Sequence, residues 1–127
     1  MIDTAKDCFE AGIRQARDGN RVGRIGSAVS KLAHERGFGV VRDLTGHGIG
    51  RDLHEEPSVP NYRRFLPGMK LRKGMTICVE PMLTLGTWQV GWLDDEWTVV
   101  TLDGEPAAHY ENTIIVTDGE PEVITRL

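Results

Sequence analysis

The chain reads as an α+β protein: two amphipathic helices in its first third, then a run of short strands. Three observations predict this. Apolar residues recur at helical spacing up to about residue 36, the period changes after Gly37, and β-branched and aromatic runs separated by turn signals dominate from residue 75. At 127 residues, the whole of 1–127 is expected to be one domain with its own core.

The first helix is predicted over 3–18, with Ala5, Phe9, Ile13 and Ala16 on its buried face, Asp3 or Thr4 as cap and Gly19 as stop. The second is predicted over 22–36, with the stripe Val22, Ile25, Val29, Leu32 and Ala33, Asn20 as cap and Gly37 as C-terminal stop. The linker Asp18-Gly19-Asn20 is short, so the helices are expected to be neighbours. Phe38-Gly39-Val40-Val41 reads as a short strand leading into a glycine-rich loop, Gly46-His47-Gly48-Ile49-Gly50. Residues 54–74 hold three prolines and two glycines and are expected to be mostly irregular. Residues 75–85 are β-prone, with Pro81 marking an edge or a bulge. Residues 97–101 form another strand, ended by the turn signal Asp103-Gly104. Residues 107–117 give the strongest strand signal, and 122–125 a last short one.

Composition is ordinary for a globular protein, at 39% hydrophobic and 27% charged residues. The net charge of −4 with scattered cations argues against nucleic acid as partner, and the densest basic stretch, from Arg63-Arg64 to Lys73, reads as a solvated loop. No apolar run approaches membrane-spanning length, so no membrane partner is expected. The N-terminus lacks a basic region followed by an apolar one, which makes the cytoplasm the expected compartment. Cys8 and Cys78 make no disulfide framework, and each reads as a small core residue.

Chemistry concentrates at three places. His47 lies between glycines, which let a backbone approach a ligand closely; the alternative is a turn with an exposed histidine. Glu80 and Glu111 each lie in an apolar strand, where a carboxylate is costly unless paired or metal-bound. One such Glu suits an ion pair, but the set His47, Glu80 and Glu111 suits zinc, iron, cobalt or manganese. Strand alternation puts Glu111 on one face with His109 and Thr113, and Glu80 with Cys78 and Met82. His109 is thus a candidate partner to the ligands, or else a solvent-facing rim histidine. His54 is a candidate hydrogen-bond donor to a substrate, or a cap for its loop. Trp97 either lines an apolar pocket or packs in the core.

The run from Gly46 to Tyr62, with Leu71-Arg72-Lys73-Gly74-Met75, Val79-Glu80-Pro81-Met82, Trp97-Thr98-Val99-Val100-Thr101, Asp103-Gly104, Ala108-His109-Tyr110-Glu111 and Thr113, resembles bacterial methionine aminopeptidase across essentially the whole chain. The resemblance implies half of a pita-bread fold, with two helices packed on a curved, mostly antiparallel sheet. It implies a two-metal site (Co, Mn, Fe or Zn) that activates water against the first peptide bond of polypeptides beginning with methionine. It assigns His47, Glu80 and Glu111 as ligands, with Glu111 bridging, and Glu80 as the base. It also assigns His54 to contact with substrate or intermediate, and Trp97 and His109 are further candidate substrate-binding residues. Asn112 departs from the pattern, since many members have histidine there. The resemblance covers only the family's C-terminal half, so the family's two aspartate ligands, a further histidine and part of the methionine pocket have no counterpart here. At most one ion, weakly held, and little or no activity are therefore expected of this chain alone. The alternative is a non-catalytic binding module, or a half that pairs with the missing N-terminal half or a second copy of itself.

Overall fold

A computed structural model describes residues 1–127. Helix α1 (Ile2–Ile13) and helix α2 (Val22–Glu35) are followed by ten short strands: β1 (Gly39–Val40), β2 (Gly46–Gly48), β3 (Glu55–Val59), β4 (Thr76–Val79), β5 (Met82–Thr84), β6 (Val90–Trp92), β7 (Val99–Thr101), β8 (Ala107–His109), β9 (Asn112–Ile115) and β10 (Glu122–Val123). A five-stranded sheet has the order β10-β9-β4-β2-β3, a three-stranded sheet β1-β5-β8, and β6 and β7 form a ribbon. Every named strand pair is antiparallel.

The helices pack against each other and on one face of the sheets. Their apolar stripes meet there: Ala5, Cys8, Phe9 and Ile13 from α1, Val22, Ile25, Val29 and Ala33 from α2, and Val59, Ile77, Val79, Leu83 and Ile114 from the strands. Phe9 is fully buried and meets Tyr110 edge-on, with ring centroids 5.3 Å apart. α2 ends as the sequence predicts: Gly37 takes φ +82°, its N–H reaches the His34 carbonyl at 3.0 Å, and the Phe38 N–H reaches that of Ala33 at 2.9 Å.

Several expectations are corrected. α1 stops at Ile13 rather than 18, because Arg17 bridges to Thr117 and the Asp18 N–H bonds the Thr117 carbonyl at 2.9 Å, which pulls this segment out of helical geometry. Asp3 and Thr4 lie within the helix and do not cap it, and Asn20 donates instead to the Gln15 carbonyl at 2.9 Å. Gly46–Gly48 is a strand flanked on both sides, and Glu55–Val59 is a strand where irregular chain was expected. The strand expected over 75–85 is two strands in different sheets, with Pro81 at the corner between them rather than at an edge or bulge. The 107–117 segment breaks likewise at Tyr110–Glu111. Trp97 precedes its strand, in a bend, and is 85% exposed rather than core. The stretch from Arg63 to Lys70 is solvent-exposed, as expected. No helix is long and apolar enough to cross a membrane.

Candidate metal centre

The two corners define the site. β4 pairs β9 with Val79 opposite Asn112, and β5 pairs β8 with Met82 opposite His109. The same register holds on both sides, so Glu80 falls opposite Glu111 where both strands turn from one sheet into the other. The Tyr110 N–H donates to the Pro81 carbonyl at 3.2 Å inside the corner, and Asn61 Nδ2 donates to the Glu80 carbonyl at 3.0 Å. Glu80 and Glu111 are therefore not inside strands, as expected from sequence, but at paired corners held by backbone bonds. Alternation still applies through the corner, and Cys78, Glu80 and Met82 face the side opposite the helices with Thr113, Glu111 and His109.

His47 joins this face from β2. It is the register partner of Ser58 on one side and of Cys78 on the other, so Ser58, His47, Cys78 and Thr113 form a row across four strands. His47 is 9% exposed, and its Nδ1 lies 2.8 Å from the Gly48 carbonyl oxygen. A carbonyl only accepts, so Nδ1 donates to Gly48 and Nε2 is the nitrogen turned toward the cluster. That nitrogen lies 3.4 Å from Glu80 Oε1. An imidazole nitrogen and a carboxylate oxygen face each other there, and either a proton or a metal ion between them would stabilise the pair.

His109 Nε2 sits 3.7 Å from both Glu80 Oε2 and Glu111 Oε2. The Glu80 carboxylate raises the His109 pKa, partial burial opposes this, and Glu111 adds to the rise. His54, just before β3, is exposed, with its ring centroid 4.2 Å from that of His47. The candidate ligand atoms fall into two groups, each within 4.8 Å of one another: His47, Cys78 and Glu111, and Glu80, His109 and Glu111. An imidazole with carboxylates is a donor set for a first-row divalent ion, so the residues present fit a metal.

Glu80 stands between two hollows. An apolar recess of about 560 Å³ is lined by Val41, Met82, Val90, Trp97 and His109 among others. A polar trough holds His47, Asp52, His54, Glu55 and Glu56. The structure thus gathers His47, Glu80, Glu111 and His109, places His54 beside them, and sets Trp97 on the recess wall. Sequence reasoning missed Cys78, which it treated as core. Its Sγ lies 3.2 Å from Thr113 Oγ1 on the site face, and burial raises its pKa. The signal was present in the alternation that pairs Cys78 with Glu80. Asn112 faces away from the cluster, and its Oδ1 accepts from Thr125 Oγ1 at 2.8 Å.

The profile of metallopeptidase family M24 matches residues 1–118. A methionine aminopeptidase of Clostridium acetobutylicum is 46% identical over 125 residues, which cover 98% of this chain and 50% of that protein. Among solved structures, methionine aminopeptidase from Thermotoga maritima superimposes with TM-score 0.93 at 40% identity, covering 98% of this chain and 50% of that one. The enzyme from Rickettsia prowazekii gives TM-score 0.94 at 40% identity, with coverage of 98% and 51%. The helices and antiparallel sheets match about half of those pita-bread chains. The chain spans about half the length of the curated relatives it matches.

Proposed function

The chain belongs to metallopeptidase family M24, and from that premise we propose that it supplies part of the catalytic site of an aminopeptidase that removes N-terminal methionine from newly made polypeptides. The observation that carries this reading is the convergence of His47, Glu80 and Glu111 on one sheet face beside an apolar recess. Relatives named methionine aminopeptidase, matching 98% of the chain, support the substrate.

His47, Glu80 and Glu111 would hold a divalent ion (Co, Mn, Fe or Zn), and Glu111, common to both groups of candidate ligands, would also serve a second. Such an ion supplies Lewis acidity, polarising a carbonyl and easing the ionisation of water at neutral pH. Glu80 accepts the proton of the attacking water. His54, at the mouth of the trough, donates a hydrogen bond to the substrate carbonyl as charge develops on it. His109, within 3.7 Å of both carboxylates, steadies them and donates to the substrate backbone. Trp97 lies along an unbranched apolar side chain in the recess. With nascent polypeptides as substrates, the proposed compartment is the cytoplasm.

These 127 residues carry three of the ligands that the resemblance assigns, enough for one weakly held ion. Full activity then requires the family's N-terminal half. A second reading is a half-domain that associates with a partner or with itself, favoured by Trp97 at 85% and Leu102 at 66% exposure beside the recess. The test is methionine release from a Met-Ala peptide with Mn²⁺ or Co²⁺. It is run with the chain alone and with the separately made N-terminal half of the Clostridium acetobutylicum relative. Release is expected with both halves and little with the chain alone. Glu111→Ala should lower it by roughly 100-fold or more, given that even outer partners of a metal cost up to that much. No release from any folded combination would overturn the proposal.

A further inference from the structure

We propose that Cys78 is a further ligand to the ion held by His47 and Glu111, and that its sulfur biases this site toward zinc and cobalt over manganese. The inference rests on the metal reading above and adds a donor to it.

Four observations carry it. Cys78 is the direct register partner of His47, so their side chains leave the sheet side by side on one face. The ligand atoms of His47, Cys78 and Glu111 all lie within 4.8 Å of one another. Two donors on one zinc ion stand no more than about 4.5 Å apart, given bonds of roughly 2.0–2.3 Å, so small side-chain rotations bring all three onto a common ion. His47 is 9% exposed and aims its Nε2 into the cluster, 3.4 Å from Glu80 Oε1. Finally, the two cysteines differ. Cys8 belongs to the apolar core between the helices, where its Sγ donates to the Val29 carbonyl at 3.6 Å. Cys78 is as buried but lies outside that core, with an imidazole and a carboxylate as neighbours and Thr113 Oγ1 at 3.2 Å. A cysteine that only fills space has no need of such company.

Thiolate is the softest donor in the set and favours zinc and cobalt over manganese, which prefers oxygen. When the ion binds, the thiol proton leaves to solvent and the sulfur–metal bond forms. The Thr113 hydroxyl is then placed to donate to the sulfur, as outer partners of metal ligands do.

The experiment is an anaerobic titration of the 127-residue chain with Co²⁺ alone, followed by absorption. Cobalt bound to any protein donor gives visible ligand-field bands, and cobalt bound to sulfur adds a near-ultraviolet charge-transfer band. The expected result is both, with the charge-transfer band lost in Cys78→Ser and Cys78→Ala and kept in Cys8→Ala. Zn²⁺ affinity should fall on the order of ten-fold in Cys78→Ser, with Mn²⁺ affinity little changed. Visible bands without the charge-transfer band in the parent chain would overturn the inference and leave the metal reading standing. Equal losses of Zn²⁺ and Mn²⁺ affinity in Cys78→Ser would also overturn it. No cobalt spectrum at all would also overturn the inference, while the metal reading is decided separately by methionine release with both halves present. The parent spectrum decides the matter even where a variant fails to fold.

Discussion

A Cβ at Gly46 would lie 2.2 Å from the Cys78 carbonyl oxygen and 3.1 Å from that of Val59. Both oxygens belong to strands fixed in a ladder, so neither moves cheaply. Glycine here lets three strands close up and sets the depth at which His47 meets Cys78. The sequence pattern shows that backbone approach matters near His47, but the glycines serve a tight sheet and not a loop. Gly46→Ala is therefore expected to cost about 3 kcal/mol, the upper range for overpacking, read from the midpoint of urea unfolding at unchanged slope. Gly119→Ala is the control, since nothing lies within 4 Å of its added Cβ, and should stay within about 0.5 kcal/mol. Equal shifts for the two would show that the β2 strands can relax.

At the scale of elements, the contact of α1 with α2 has a titratable group inside it. Cys8 is fully buried, and burial raises its pKa from 9.0 to about 11, with Arg36 working against the rise. The folded chain thus keeps a thiol proton that the unfolded chain loses first. This contribution to stability is whole below pH 9, declines as pH rises, and is gone near pH 11. The stability gap between the parent and Cys8→Ala should accordingly narrow by about 2–3 kcal/mol from pH 8.5 to pH 11, measured by denaturant unfolding at each pH. A gap that stays constant would mean that the helix contact opens to let the thiol ionise. The same elements show what can be read from sequence. The span and stop of α2 were legible because its stripe and its glycine stop are local, though its expected cap, Asn20, bonds Gln15 instead. The end of α1 was not, because Thr117, a hundred residues away, captures Arg17 and Asp18. The corners at Pro81 and Glu111 were hidden for the same reason: each segment has continuous β propensity, and only the pairing of the two sheets decides where it bends. Alternation survived the bend, so the sides shared by Glu111 with His109 and by Glu80 with Cys78 could be read in advance, while only the strand pairing makes them one face. Cys78 was overlooked because two cysteines were weighed only as a disulfide count and as core, not by the face that alternation gave one of them.

At the scale of the whole molecule, the helix face is closed and the site face is open. The β6–β7 ribbon pairs with no other strand, and a lone two-stranded ribbon is marginal by itself. It presents Trp92 at 50% and Leu102 at 66% exposure, with Trp97 between its strands. β8, beside the recess, has an unpaired edge of Ala107, Ala108 and His109, with no proline within it and its one titratable group, His109, turned to Glu80 and Glu111. The β3 edge differs, carrying Glu55, Glu56 and Pro57. If a second copy covers the open face, association should run through β8 and the ribbon. Light scattering is then expected to show a mass that rises with concentration. Trp97→Lys and Ala107→Pro should each shift it toward the monomer, while Phe65→Ser should leave it unchanged, since Phe65 is fully exposed but lines no part of the recess. A chain that stays monomeric at every concentration would rule out the second copy and leave the family's N-terminal half as the cover. Association that responds equally to all three substitutions would instead mean unspecific adhesion of exposed apolar side chains, and the open face would carry no preference for a partner.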